Sequence, residues 1–240
     1  MAVGTRPARP VCDDRGVDLL ATARGTGAVR QFTDDPVTDD ALYRVLDTAR
    51  FAPSGGNRQG WKVVVVRDAE SKRQLAELSQ VTWNAYRVMV EAGEHPFNTV
   101  VPTGVDIEAA ERVHSDNALL AHIDDVPVVL VVGLDLSVTA SMDAGLERVG
   151  VVSGASVYPF TWNLILAARA EGLGGVITTF VARKEPEVQA LLGLPPHVAV
   201  VAMIPLGVPV HQPTKLRRNP VESFATLERY DGEPLRPPAG

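Results

Sequence analysis

One cysteine, Cys12, occurs among the 240 residues. It excludes an internal disulfide framework and fits a reducing compartment. Long apolar runs are missing too: the longest, Val126 to Leu136, is broken by Gly133 and Asp135 and is far too short to span a bilayer. Positive charge is in deficit, with a formal net charge of −6, which argues against nucleic acid or an anionic membrane as the main partner. The N-terminal arginines precede no apolar segment with a cleavage site, so no secretory signal is visible and a cytoplasmic location is expected. Self-sufficient catalytic sets are also lacking. His95, His114, His122, His197 and His211 show no metal-ligand spacing, and surface or satisfied core positions account for them; no metal site is expected. No Gly-x-Ser-x-Gly elbow is present, so nucleophilic catalysis has no visible apparatus. A chain without reactive groups of its own, yet with several ligand-suited loops, points to chemistry carried by a cofactor.

What is present is an ordinary globular composition, 45% hydrophobic and 22% charged, with no internal repeat and no compositional boundary. Residues 1–16 combine Gly4, Pro7, Pro10 and charges without periodicity and read as a mobile lead-in. Residues 17–207 read as one domain. Its expected elements are a short helix at 17–23, a helix capped by Thr38, a strand at 62–67 buried on both faces, and a helix at 70–91. A lid-like excursion at 92–125 follows, carrying a helix at 105–121. Then come a strand at 126–134, a long helix at 145–172 interrupted near Tyr158-Pro159, a strand at 176–180, a helix at 184–192 and a strand at 198–206. The tail, 208–240, is rich in proline and arginine, and its apolar residues have no obvious cover within the chain; it is expected to wrap a partner or to stay disordered.

The organising stretch runs from Ala49 to Trp61. Leu42, Val45, Leu46 and Ala49 give the preceding helix one apolar face, and Pro53 ends it. The loop that follows holds Ser54, Gly55, Gly56, Asn57 and Arg58; its glycines would let backbone groups approach a flat polar ligand, although a plain turn accounts for the same residues. Gly25-Thr26-Gly27 invites a dinucleotide reading, which fails because no strand precedes it and the third glycine is missing.

Val29-Arg30-Gln31-Phe32, the Ala-Pro-Ser-x-x-Asn-x-Gln-x-Trp pattern from Ala52 to Trp61, and the later Ala-Ala-Arg-Ala-x-Gly-Leu-Gly ending at Gly174 together resemble the FMN-dependent nitroreductase family. The resemblance implies an α+β fold, a central, mainly antiparallel sheet wrapped by helices, in an intertwined homodimer with FMN at the interface. It implies that Thr26, Gly27, Ala28 and Arg30 line the FMN. The partner's Pro53, Ser54, Gly55 and Asn57 would close over it, backbone N–H groups of Thr178 and Thr179 would meet the flavin ring, and Lys215 and Arg217 would bind its phosphate. Two departures stand out: many members carry two basic residues and a serine where this chain has Thr26, Gly27 and Ala28, and Gly60 replaces a common proline. The activity implied is hydride transfer from NADH or NADPH to FMN, then two-electron reduction of a small-molecule acceptor such as a nitroaromatic, quinone or enone. Relatives that dehalogenate, dehydrogenate or fragment flavin with oxygen keep alternatives open, as does a non-enzymatic flavin-binding role.

Overall fold

β-branched residues dominate two runs, Trp61–Val66 and Val128–Asp135, and both form strands, but at different depths. The structure is a computed structural model that describes residues 18–238; the expected lead-in, with Cys12, lies outside the described residues. Four strands, β1 (Trp61–Val66), β2 (Val128–Asp135), β3 (Gly174–Gly175) and β4 (Val198–Gly207), form one sheet in the order β1-β2-β4-β3, each neighbouring pair antiparallel. Around it lie α1 (Leu19–Gly25), α2 (Asp39–Ala49), α3 (Ala69–Glu91), α4 (Ile107–Ala110), α5 (Ala118–Ala121), α6 (Tyr158–Ala170) and α7 (Glu185–Leu192). This is the expected α+β arrangement.

Alternate residues of β2 serve two cores. Val128, Leu130, Val132 and Leu134 pack with α2 and α6, whereas Val129 and Val131 pack with α3 and α7. Helices on both faces explain why almost all of β2 is buried. The same residue types in β1 do not achieve this. Its place at the sheet edge leaves Val65 exposed, which corrects the expected two-faced burial.

Thr38 caps α2 as expected, its hydroxyl accepting from Ala41 N–H at 3.2 Å. Three other expectations are shortened. Pro159 starts α6 rather than kinking a longer helix, because a first-turn residue has no intrahelical acceptor to lose. The helix expected at 105–121 becomes the single turns α4 and α5. The side chains of Gln80, Trp83 and Asn84 on α3 hold the excursion by bonding the backbone of Ser115, Asp116 and Glu111.

The strand expected at 176–180 shrinks to Gly174–Gly175 plus a single bridge between Thr178 and Met203. Met203 exchanges both backbone hydrogen bonds with Thr178 at 2.9 Å, so the residue two places on, Pro205, turns the same way and has no N–H to give. The ladder therefore opens beside Val176.

The start of the tail is bonded within its own chain. Thr33 N–H donates to Val208 O, Val210 N–H to Gln31 O and Gly27 N–H to Pro213 O, so residues 208–213 dock on their own chain. Beyond them Val221, Phe224, Leu227 and Tyr230 are exposed.

Candidate active site

The segment from Gly27 to Thr33 is held by two other stretches of the chain. Val29 N–H donates to Gly175 O at 3.0 Å, and residues 208–213 bond the backbone of Gly27, Gln31 and Thr33. Two glycines permit this closeness: a Cβ on Gly27 would stand 2.7 Å from Pro213 Cβ, and one on Gly174 would stand 2.6 Å from Val29 Cγ2. Val29 is buried, so the alternation of an extended chain turns Ala28 and Arg30 outward.

Both line a cavity of about 880 Å³. Thr178, Thr179, His211 and Pro213 share its wall, and Asp116–Leu120 form another part of it. Facing them is an aromatic group: Trp83 stacks on Tyr86 with centroids 5.7 Å apart, and Phe180 meets both edge-on at 5.4 and 5.7 Å. Trp83 Nε1–H donates to Asp116 O at 3.1 Å, which ties the aromatic wall to the excursion. The part of the excursion that reaches this cavity is therefore 116–120; Gly93 to Thr103 border a separate one with Phe97 and Arg183.

The expected site residues divide into two groups. Ala28, Arg30, Thr178 and Thr179 meet at the cavity. Thr26 and Gly27 are buried beside it, and the Thr26 hydroxyl donates to Thr22 O at 2.7 Å. Lys215 and Arg217 are exposed just past Pro213, and no ion pair engages either among the described residues. Arg30 likewise forms no pair with Asp34 or Asp35; Asp35 accepts from Thr33 instead. One expected donor is corrected: Thr178 N–H is taken by Met203 O, and Thr179 N–H has no acceptor among the described residues.

Pro53, Ser54, Gly55 and Asn57 do not line this cavity. They form an exposed loop whose backbone is bent hard, with positive φ at Gly56 (59°), Asn57 (52°) and Gln59 (51°). Ser54 Oγ accepts from Gln59 N–H at 2.9 Å, and Ser156 Oγ accepts from Gly55 N–H at 3.2 Å. Trp61, stacked on Phe160 at 4.9 Å, fastens the end of the loop to α6.

Trp83, Tyr86, Phe180 and His211 join the cavity without being among the expected site residues, and 116–120 is the part of the lid-like excursion that reaches it. The available signal was Trp83 and Tyr86 three apart on one helix, hence on one face.

The family model described as "Nitroreductase family" matches residues 23–208. An NADH dehydrogenase of Thermus thermophilus is 28% identical over 215 residues, covering 86% of this chain and 94% of that protein. An FMN reductase (NAD(P)H) of Bacillus subtilis is 26% identical, covering 85% and 70%. Oxidised iodotyrosine deiodinase, solved with FMN and 3-iodo-L-tyrosine, superposes with a TM-score of 0.60 at 24% identity, covering 89% of this chain and 99% of that one. The model match spans well over half of the sequence, and the chain is a member of the nitroreductase family, whose members are flavin oxidoreductases.

Proposed function

We propose that this protein is an FMN-dependent oxidoreductase that takes hydride from NADH or NADPH and delivers two electrons to a small-molecule acceptor, working as a homodimer. The observation that carries the reading is the gathering of Ala28, Arg30, Thr178 and Thr179, from distant stretches, around one cavity with an aromatic wall. Bound FMN would supply hydride acceptance and release in alternation, with the donor leaving before the acceptor enters.

The residues present suit that group. Thr179 offers an N–H with no acceptor among the described residues, and Arg30 brings a permanent positive charge to the cavity. Lys215 and Arg217 suit a phosphate by charge and, for arginine, by two-pronged geometry. The Trp83, Tyr86 and Phe180 rings exclude water and give a flat acceptor, whether nitroaromatic, quinone or enone, an apolar face.

Dimerisation is supported by apolar side chains that the chain itself does not cover. Phe51 and Met142 are 73% and 84% exposed, and Phe224 and Tyr230 of the tail are 73% and 102% exposed. The exposed loop at 53–57 fits as the partner's contribution to the cavity, since in its own chain it lines a different surface.

Anaerobic mixing of the FMN-loaded protein with NADH and, separately, NADPH tests the reading. The expected result is loss of the oxidised flavin absorbance with at least one donor and its return on adding a quinone or nitroaromatic. Flavin that neither donor reduces overturns it.

A further inference from the structure

Arg169 stands in the last turn of α6, where the negative end of the helix favours a cation. Its guanidinium is nevertheless placed oddly for a helix-end charge. Nη1 is buried and has no hydrogen-bond partner among the described residues. The nearest acid in sequence, Glu171, is taken by Arg44, whose guanidinium donates to both of its carboxylate oxygens at 2.8–3.1 Å. Nη2 lies 3.6 Å from where a Cβ on Gly25 would stand, and Thr214 O lies 3.7 Å from that same point. The guanidinium is thus seated at the junction of Gly25 and Thr214, one residue before Thr26 and one before Lys215. A buried charged donor without a partner is costly and is retained where something else supplies the counter-charge.

The surroundings select an anion. Arg24, Arg30, Lys215, Arg217 and Arg218 come from the two strands of chain that meet here, and residues 24–33 and 208–221 contain no acidic residue. In a chain of net charge −6 this is a local reversal. Gly27 cannot be replaced by a basic side chain, because its Cβ would collide with Pro213, and Thr26 is buried with its hydroxyl turned to Thr22. Neither position therefore supplies a cation, whereas the Arg169 guanidinium lies directly behind them.

We propose that Arg169 is a positioning residue for the phosphate of the bound flavin nucleotide, supplying from behind Gly25 the positive charge that positions 26 and 27 do not provide. This rests on the FMN reading above. A merely structural arginine would stabilise the empty protein; this one is a charge held in wait, so its removal leaves the empty protein as stable or more stable and takes away the response to phosphate.

The test uses the full-length protein stripped of flavin, with Arg169→Met and Arg169→Lys. Affinities for FMN and riboflavin are read by fluorescence quenching, and thermal midpoints are read with and without FMN or inorganic phosphate. Arg169→Met is expected to weaken FMN about tenfold or more while changing riboflavin less than about twofold. Its flavin-free midpoint stays level or rises, and the upward shift given by phosphate disappears. Arg169→Lys, which keeps the charge, recovers part of the FMN affinity and carries the test if the Met variant does not fold. Equal weakening of both flavins, or unchanged FMN affinity, overturns the proposal. Wild-type protein that binds neither flavin overturns the FMN reading along with it.

Discussion

Two loops of this molecule carry glycines beside hydroxyl residues, and they are held in opposite ways. The stretch at 25–33 is bonded both to Gly175 and to residues 208–213, and at Gly27 neighbouring atoms leave no room for a side chain. The loop at 53–59 is exposed, turns through three positive φ values and touches the rest of the chain mainly through Ser156 and Trp61. The first is a wall finished within one chain. The second is a preformed shape outside the cavity described above, and residues such as Gln59 do not adopt left-handed backbone for convenience, since that costs about 1–2 kcal/mol. The first loop lines the chain's own cavity; under the homodimer reading proposed above, the second would close the partner's.

The largest effect should come from the exposed cations at the end of the first region. Lys215→Ala with Arg217→Ala is expected to cost FMN roughly 3–6 kcal/mol, about 10²–10⁴-fold in affinity, taking roughly 1.5–3 kcal/mol for each charged hydrogen bond. Riboflavin affinity should barely move, and equal losses in a binding titration would assign the pair to the fold instead. Next is Arg30→Gln. A guanidinium at the cavity favours the reduced flavin, which carries more negative charge. Losing one charged hydrogen bond of roughly 1.5–3 kcal/mol should lower the midpoint potential by roughly 30–65 mV, at about 30 mV per 1.4 kcal/mol for two electrons. Spectroelectrochemistry with flavin fully bound reads this, and an unchanged or raised midpoint would remove Arg30 from the flavin.

Gly27→Val probes how tightly the first loop is wedged. With its Cβ 2.7 Å from Pro213 Cβ, the variant should lose about 1–3 kcal/mol of stability by overpacking, measurable by urea unfolding. Wild-type stability would mean that the tail yields easily.

The smallest effect concerns the brace behind the second loop. Asp143 is buried, and its carboxylate accepts from Val151 N–H, Arg148 and Val152 N–H, which hold its pKa down at about 2. A carboxylate with a depressed folded pKa contributes fully above its unfolded value near 3.9. That contribution is lost as pH falls towards about 2. Thermal midpoints between pH 5 and pH 2 should therefore fall less steeply in Asp143→Asn than in the wild type. Parallel curves would show that the brace does not form.

Much of this arrangement was legible in the sequence because it is local. Thr38 caps α2, Pro53 lies just beyond that helix, and the spacing of Ala52 to Trp61 identifies the second loop without any tertiary information. What escaped depends on neighbours. The runs at 63–66 and 128–132 look alike as text, and only strand order makes one an edge. The break in β3 is caused by Pro205, some thirty residues away, and the helix expected from 145 is replaced by a loop braced on Asp143. The aromatic wall joins α3 to Phe180 across nearly a hundred residues, so no window of sequence contains it.

Mixing two deficient proteins tests the central contrast directly. Lys215→Ala/Arg217→Ala spoils the first region. Gly55→Val spoils the second, and a Cβ there meets only Ser156 Oγ at an ordinary 3.4 Å within its own chain. Each variant alone should hold little FMN. If each cavity is closed by the other subunit's loop, unfolding and refolding them together in equal amounts should restore about a quarter of the wild-type FMN content, since half of the dimers are mixed and each has one intact site. Mixed protein that binds no more FMN than the separate variants would contradict the account.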